Sequence, residues 1–135
     1  MNPLTITPDD IIRIIAGDVK HMPALAHQRL SDVAHVAEEI PLPQRTLTAH
    51  AVRQVLLALG ERKIAPEETQ AWASFVRRGY IPTTEKVVRI IDIPYEENRE
   101  DAIVEAIGRM DELGDIIDGA MDDNEIRKLI DQLGD

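Results

Sequence analysis

The chain has 135 residues, 44% of them apolar and 30% charged, a formal net charge of -10 and no cysteine. That length suits a single domain, residues 1–135, with a sizeable core, and the missing cysteines exclude a disulfide framework and a Cys-ligated zinc site. Residues 1 to 91 carry 11 Lys/Arg against 10 Asp/Glu, whereas residues 92 to 135 carry 4 against 15, so a nucleic-acid backbone or an anionic membrane is not an expected partner.

The N-terminal stretch MNPLTITPDD has no basic region leading into an apolar run, and no segment approaches the ~18 apolar residues of a membrane span. A cytoplasmic location is the expectation. Thr7-Pro8-Asp9-Asp10 then reads as a helix start, with Thr7 as cap, Pro8 at the first helical position and acids in the first turn. Its apolar run Ile11, Ile12, Ile14, Ile15 ends at Gly17. A second helix is predicted over about residues 23 to 38, where Leu25, Leu30, Val33, Val36 and Ala37 fall near helical period. Pro41 and Pro43 break it. A third begins at Thr46 or Thr48, carries Val52, Val55, Leu56 and Leu59 on one face, and stops at Gly60.

Ala65-Pro66-Glu67-Glu68 opens a fourth helix that runs to Gly79. Trp72, Phe75 and Val76 share one face of it at i, i+3, i+4, and in a chain with only 3% aromatics they are expected as core anchors. Residues 87–93, VVRIIDI, are rich in β-branched residues and bracketed by prolines, the pattern of a short strand. A lone strand needs a partner for its backbone groups; LTIT at 4–7 or a second copy of the chain would supply one. A fifth helix from about Glu97 places Ile103, Ala106, Ile107, Met110 and Leu113 on an apolar face, continued by Ile117 if it runs on toward Gly119. The last, over about 123 to 133, buries Ile126, Leu129, Ile130 and Leu133. The fold expected is mainly α, a compact bundle of five or six helices with one short extended or β segment near residues 87–93.

The segment ELGDIIDGAMDDNEIRKL matches the second half of an EF-hand loop when Gly119 is set at position 6, with Glu125 at position 12. The first half then offers Gly114 and Ile116 where calcium needs side-chain oxygens. A glycine helix stop at Gly119, followed by Asp122 capping the next helix with Glu125 closing a capping box, explains the same residues. His21, His27, His35 and His50 have no i, i+4 relation, and no HExxH, P-loop, G-x-G-x-x-G or G-x-S-x-G is present. No metal, no cofactor and no catalytic residues are expected, and an enzyme built on a His and carboxylate cluster stands last among the readings.

Acids at helix starts serve the helix dipole. Glu105, Asp111, Glu112, Asp115 and Asp118 fall in the middle or at the end of the fifth helix, where acids oppose that dipole at tenths of a kcal/mol each. These five are therefore the candidate contacts for a basic protein partner, since opposed potentials speed encounter and select the partner. A face that serves solubility alone is the competing reading of the same acids. The segment LLALGERKIAPEETQAWASF, together with the size and acidic balance, resembles the small acidic helical bacterial immunity proteins that act against colicin-type and contact-dependent toxins. The resemblance implies a compact helical domain whose acidic surface blocks a cationic toxin; it assigns no individual residue. The alternative is a structural or adaptor protein that self-associates through residues 87–93.

Overall fold

The computed structural model describes residues 6–25, 30–79, 91–113 and 121–134. Among these, the chain forms a helical bundle: α1 Pro8–Ile15, a 3-10 helix Val19–Leu25, α2 Leu30–Glu38, a single turn α3 Leu42–Arg45, α4 Ala49–Gly60, α5 Pro66–Arg78, α6 Glu100–Asp111 and α7 Asp123–Leu133. The most extensive packing is of α5 on α6 and of α4 on α7, with α6 also touching both α4 and α7.

The starts of α1, α4 and α7 follow from their capping chemistry. The Thr7 hydroxyl accepts from Asp10 N at 3.3 Å while the Asp10 carboxylate accepts from Thr7 N at 2.9 Å, a reciprocal box with Asp in place of Glu. Thr48 caps α4 through Ala51 N at 3.1 Å. Asp122 caps α7 through Glu125 N at 2.8 Å. The expected second half of that last box does not form, because the Glu125 carboxylate is turned to Arg109 on α6.

The stops differ from the sequence-based expectation at one place. Gly79 ends α5 in the left-handed conformation at φ 77, as glycine allows. Gly60, by contrast, stays helical, and the left-handed residue after α4 is Arg62 at φ 60. Its N–H reaches Leu59 O at 3.1 Å and Lys63 N reaches Ala58 O at 2.9 Å, the paired bonds of a glycine-type helix stop. A side chain held there costs about 1 kcal/mol relative to glycine. Gly60 is not required by crowding either: a Cβ there would make only an ordinary contact, 3.6 Å from Ile126 Cγ2 of α7. The predicted 23–38 helix is also divided, into the 3-10 helix and α2, with residues 26–29 outside the described set.

The core joins all layers. Ile11 and Ile14 of α1, Val52, Val55 and Leu56 of α4, Trp72 and Phe75 of α5, Ile103 and Met110 of α6 and Leu133 of α7 are at most 1% exposed. Trp72 meets its polar requirement inside that core, its indole N–H donating to the Ile14 carbonyl at 2.6 Å. Gly17, at φ 104, lets the end of α1 approach α4, where an added Cβ would meet Ala51 O at 3.0 Å.

No strand occurs among the described residues. Of the predicted 87–93 strand, residues 87–90 lie outside that set, and Ile91 is buried with its N–H on the Gly79 carbonyl at 2.8 Å. Pairing falls further along, as one parallel bridge between Leu47 and Tyr95. Leu47 N donates to Pro94 O at 2.8 Å and Glu96 N to Leu47 O at 2.9 Å. The partner of Tyr95 is thus the residue before the α4 cap, while most of the expected pairing of LTIT with 87–93 lies outside the described residues. It delivers the Glu96 carboxylate to Ala49 N at 2.9 Å, so a distant acid serves the N-terminus of α4.

Candidate functional site

α6 carries the acids that stand out in the sequence, and packing sorts them into two groups. Ile103, Ala106, Ile107 and Met110 bury one side of the helix. At 100° per residue the opposite side holds Asp101, Val104, Glu105 and Gly108, while Glu100 falls at its edge, near the line of Ile103 and Ile107; Glu100, Asp101 and Glu105 are all exposed. Val104, 56% exposed, stands among them, and the space above Gly108 is open, with nothing within 4 Å of an added Cβ. No described residue forms an ion pair with Glu100, Asp101 or Glu105. Beside their N-terminal end a concavity of about 650 Å3 is lined by Glu97, Glu100, Asp101 and Gln132 among others.

The acids at the other end of α6 are engaged within the molecule. Asp111 Oδ2 accepts from Arg77 Nη1 at 2.9 Å and from Arg78 Nη1 at 2.8 Å, and its side chain is only 8% exposed. Gln70 adds a bond to the Asp111 backbone carbonyl at 3.0 Å. The two arginines have a double effect. At the end of α5 they favour the negative end of their own helix, and they also neutralise an acid that would otherwise oppose the dipole of α6.

Arg109 binds a second pair. Its Nε and Nη2 hold the two Glu125 oxygens at 2.5 and 2.8 Å, and its Nη1 reaches Glu112 at 3.0 Å. The fork clamps α6 to α7 in the bidentate geometry that suits guanidinium and carboxylate. Of the five candidate contacts, then, Glu105 lies on the outer face, Asp111 faces two arginines of its own chain, and Glu112 is exposed while bonded to Arg109. Asp115 and Asp118, with the EF-hand-like Gly119, lie outside the described residues. Asp101 joins Glu105 on the outer face and Glu100 borders it, though the sequence position of both explains them equally as first-turn acids.

Hydrogen bonds from Arg109 hold the Glu125 carboxyl below its ordinary value of 4.5, against a smaller opposing effect of burial. A carboxyl that gives up its proton more readily when folded contributes fully above about pH 4.5, and that contribution disappears as pH falls through the depressed folded value. Glu125→Gln is therefore expected to cost about 1 kcal/mol at neutral pH, discounted because both groups are partly open to water. The variant should also show a flatter loss of stability as pH falls below about 4.5. Urea denaturation at neutral and acid pH checks both; parallel curves for the two proteins would show that the clamp contributes nothing.

His21 Nε2 lies 2.7 Å from Asp10 Oδ1, tying the 3-10 helix to the α1 cap, and that bond leads the effects that depress the Asp10 carboxyl. His35 and His50 are exposed, and no group of three or more His, Asp or Glu among the described residues is arranged to hold a metal. No described helix is long and apolar enough to cross a membrane. No protein-family model, curated protein or solved structure matches the chain.

Proposed function

We propose that this chain is a non-enzymatic protein-binding module that neutralises or recruits a basic protein, in the manner of an immunity protein facing a cationic toxin. The observation that carries the reading is the outer face of α6, where Asp101 and Glu105 flank the exposed Val104 and Glu100 borders them at the start of the helix, all three acids without intramolecular ion pairs among the described residues. Such a face has the anatomy of a small interface: an apolar centre that excludes water and a charged rim that steers. The adjoining concavity is lined by Glu97, Glu100 and Asp101, with Arg99 also on its wall. Glu112 extends the rim toward the end of the helix, while Asp111 takes part in holding α5 and not in contact.

The test uses the product of the gene adjacent to this one, co-expressed with the chain. A complex is expected whose association slows as salt rises, since screening shortens from about 10 Å at 0.1 M to about 3 Å at 1 M. The triple variant Glu100→Lys, Asp101→Lys, Glu105→Lys should slow association at least about tenfold. These three side chains are exposed, so the fold should survive the change. An association rate indifferent to both salt and charge reversal would rule out the reading.

A further inference from the structure

Where α4 turns into α5, beneath the start of α7, an open cleft of about 570 Å3 has walls of Leu59, Ile64, Met121 and Ile126. Lys20, Arg62 and Lys63 stand around it, with Glu68 and Asp123 the acids of its lining. Two of the three cations are already taken. Lys20 Nζ holds both Glu68 oxygens at 3.0 Å, and Lys63 Nζ holds Glu61 at 3.2 Å. The Arg62 guanidinium makes no hydrogen bond or ion pair with any described residue.

Two features of this corner are hard to explain by stability alone. A left-handed helix stop selects glycine or asparagine, yet this one carries an arginine, at the mouth of the cleft. Gly60, two positions earlier, is not the stop; its missing side chain leaves the cleft open beside Ile126. The sequence thus places the bulky cation where glycine would fold more easily, and the glycine where a side chain would fill the space.

We propose that the cleft binds a small amphiphilic anion, a carboxylate on a short apolar body, with the carboxylate on Arg62 and the body against Leu59, Ile64, Met121 and Ile126. An apolar-walled cavity with one oriented polar group is the common form of a small-ligand site, and guanidinium pairs a carboxylate through two parallel bonds. A single negative charge suits it better than a phosphate dianion, because Asp123 lines the same cleft and the chain as a whole carries -10.

Octanoate is the probe, titrated into the full chain by calorimetry and by two-dimensional amide NMR, beside octylammonium and inorganic phosphate. Octanoate should saturate, with amide shifts centred on residues 59–66 and 121–126, while octylammonium and phosphate should not. Arg62→Gly should weaken octanoate at least fivefold while raising the melting temperature by a few degrees, which separates lost binding from lost folding. Gly60→Leu, which fills the cleft, should abolish saturation. The proposal is overturned if octanoate fails to saturate, if octylammonium or phosphate binds as well, or if Arg62→Gly leaves the affinity unchanged.

Discussion

Trp72→Ala is expected to remove about 3–5 kcal/mol of stability, the range for deleting a large buried aromatic side chain. For a chain of this length that corresponds to a fall in melting temperature of roughly 10–20 °C. The side chain is wholly buried on α5, the helix that packs against both α6 and the 3-10 helix, so no single neighbour can relax into the space it leaves. Its N–H also reaches the last turn of α1, the part of a helix where backbone carbonyls lack internal partners. Because Gly17 N donates to the same Ile14 oxygen at 3.0 Å, the carbonyl keeps one partner in the variant, and most of the loss is packing. Trp72→Phe separates the two contributions: it keeps most of the apolar body and should cost about 1–2 kcal/mol. Both are read by urea denaturation followed by far-ultraviolet circular dichroism, because the chain has one tryptophan and fluorescence is lost with it. A cost under about 1 kcal/mol for Trp72→Ala would show that α1 and α5 are not joined at this residue.

That anchor is legible in the sequence alone, and the reason is locality. Trp72, Phe75 and Val76 announce one helix face by spacing, and all three are buried. The starts of α1 and α7 are equally readable, since Thr7 and Asp122 cap through residues three positions away. The end of α4 misleads for a related reason: glycine is the usual left-handed residue, and nothing local marks Arg62 as the one that adopts φ 60. Pairings between distant segments are beyond the reach of local pattern. The Leu47–Tyr95 bridge joins residues with no shared pattern, and the β-branched run just before it suggests a strand whose described end, residues 91–93, is instead coil with Ile91 buried.

The acidic face follows the same division. Helical period alone separates Asp101 and Glu105 from the buried side of α6, and their exposure agrees with it, whereas period sets Glu100 near the line of Ile103 and Ile107 although it too is exposed. Spacing cannot reveal which acids are consumed internally. Asp111 meets arginines 34 and 33 positions earlier, and Arg109 meets Glu125 across 16. A net charge counts all these groups alike, whereas packing removes some of them from the surface a partner would meet.

Asp111→Ala should therefore cost about 1.5–2.5 kcal/mol, although Glu105→Ala, on the same helix and of the same charge, should stay within about 0.5 kcal/mol of the parent. The difference rests on what each deletion leaves behind. Glu105 is exposed and its removal strands nothing among the described residues. Removing Asp111 takes an acceptor from two guanidiniums at once and opens the contact between the ends of α5 and α6. The cost stays below the 3–5 kcal/mol of a fully buried broken pair, because the Arg77 and Arg78 side chains, 50% and 39% exposed, can turn toward water. For the same reason Arg77→Ala or Arg78→Ala alone should cost under about 1 kcal/mol, the second arginine keeping the carboxylate paired. A double-mutant cycle on Asp111 and Arg78 should return a coupling of about 1 kcal/mol, measured by chemical denaturation. If Asp111→Ala proved as harmless as Glu105→Ala, the two arginines would not be holding that carboxylate, and it would rejoin the outward acids as a contact for a basic partner.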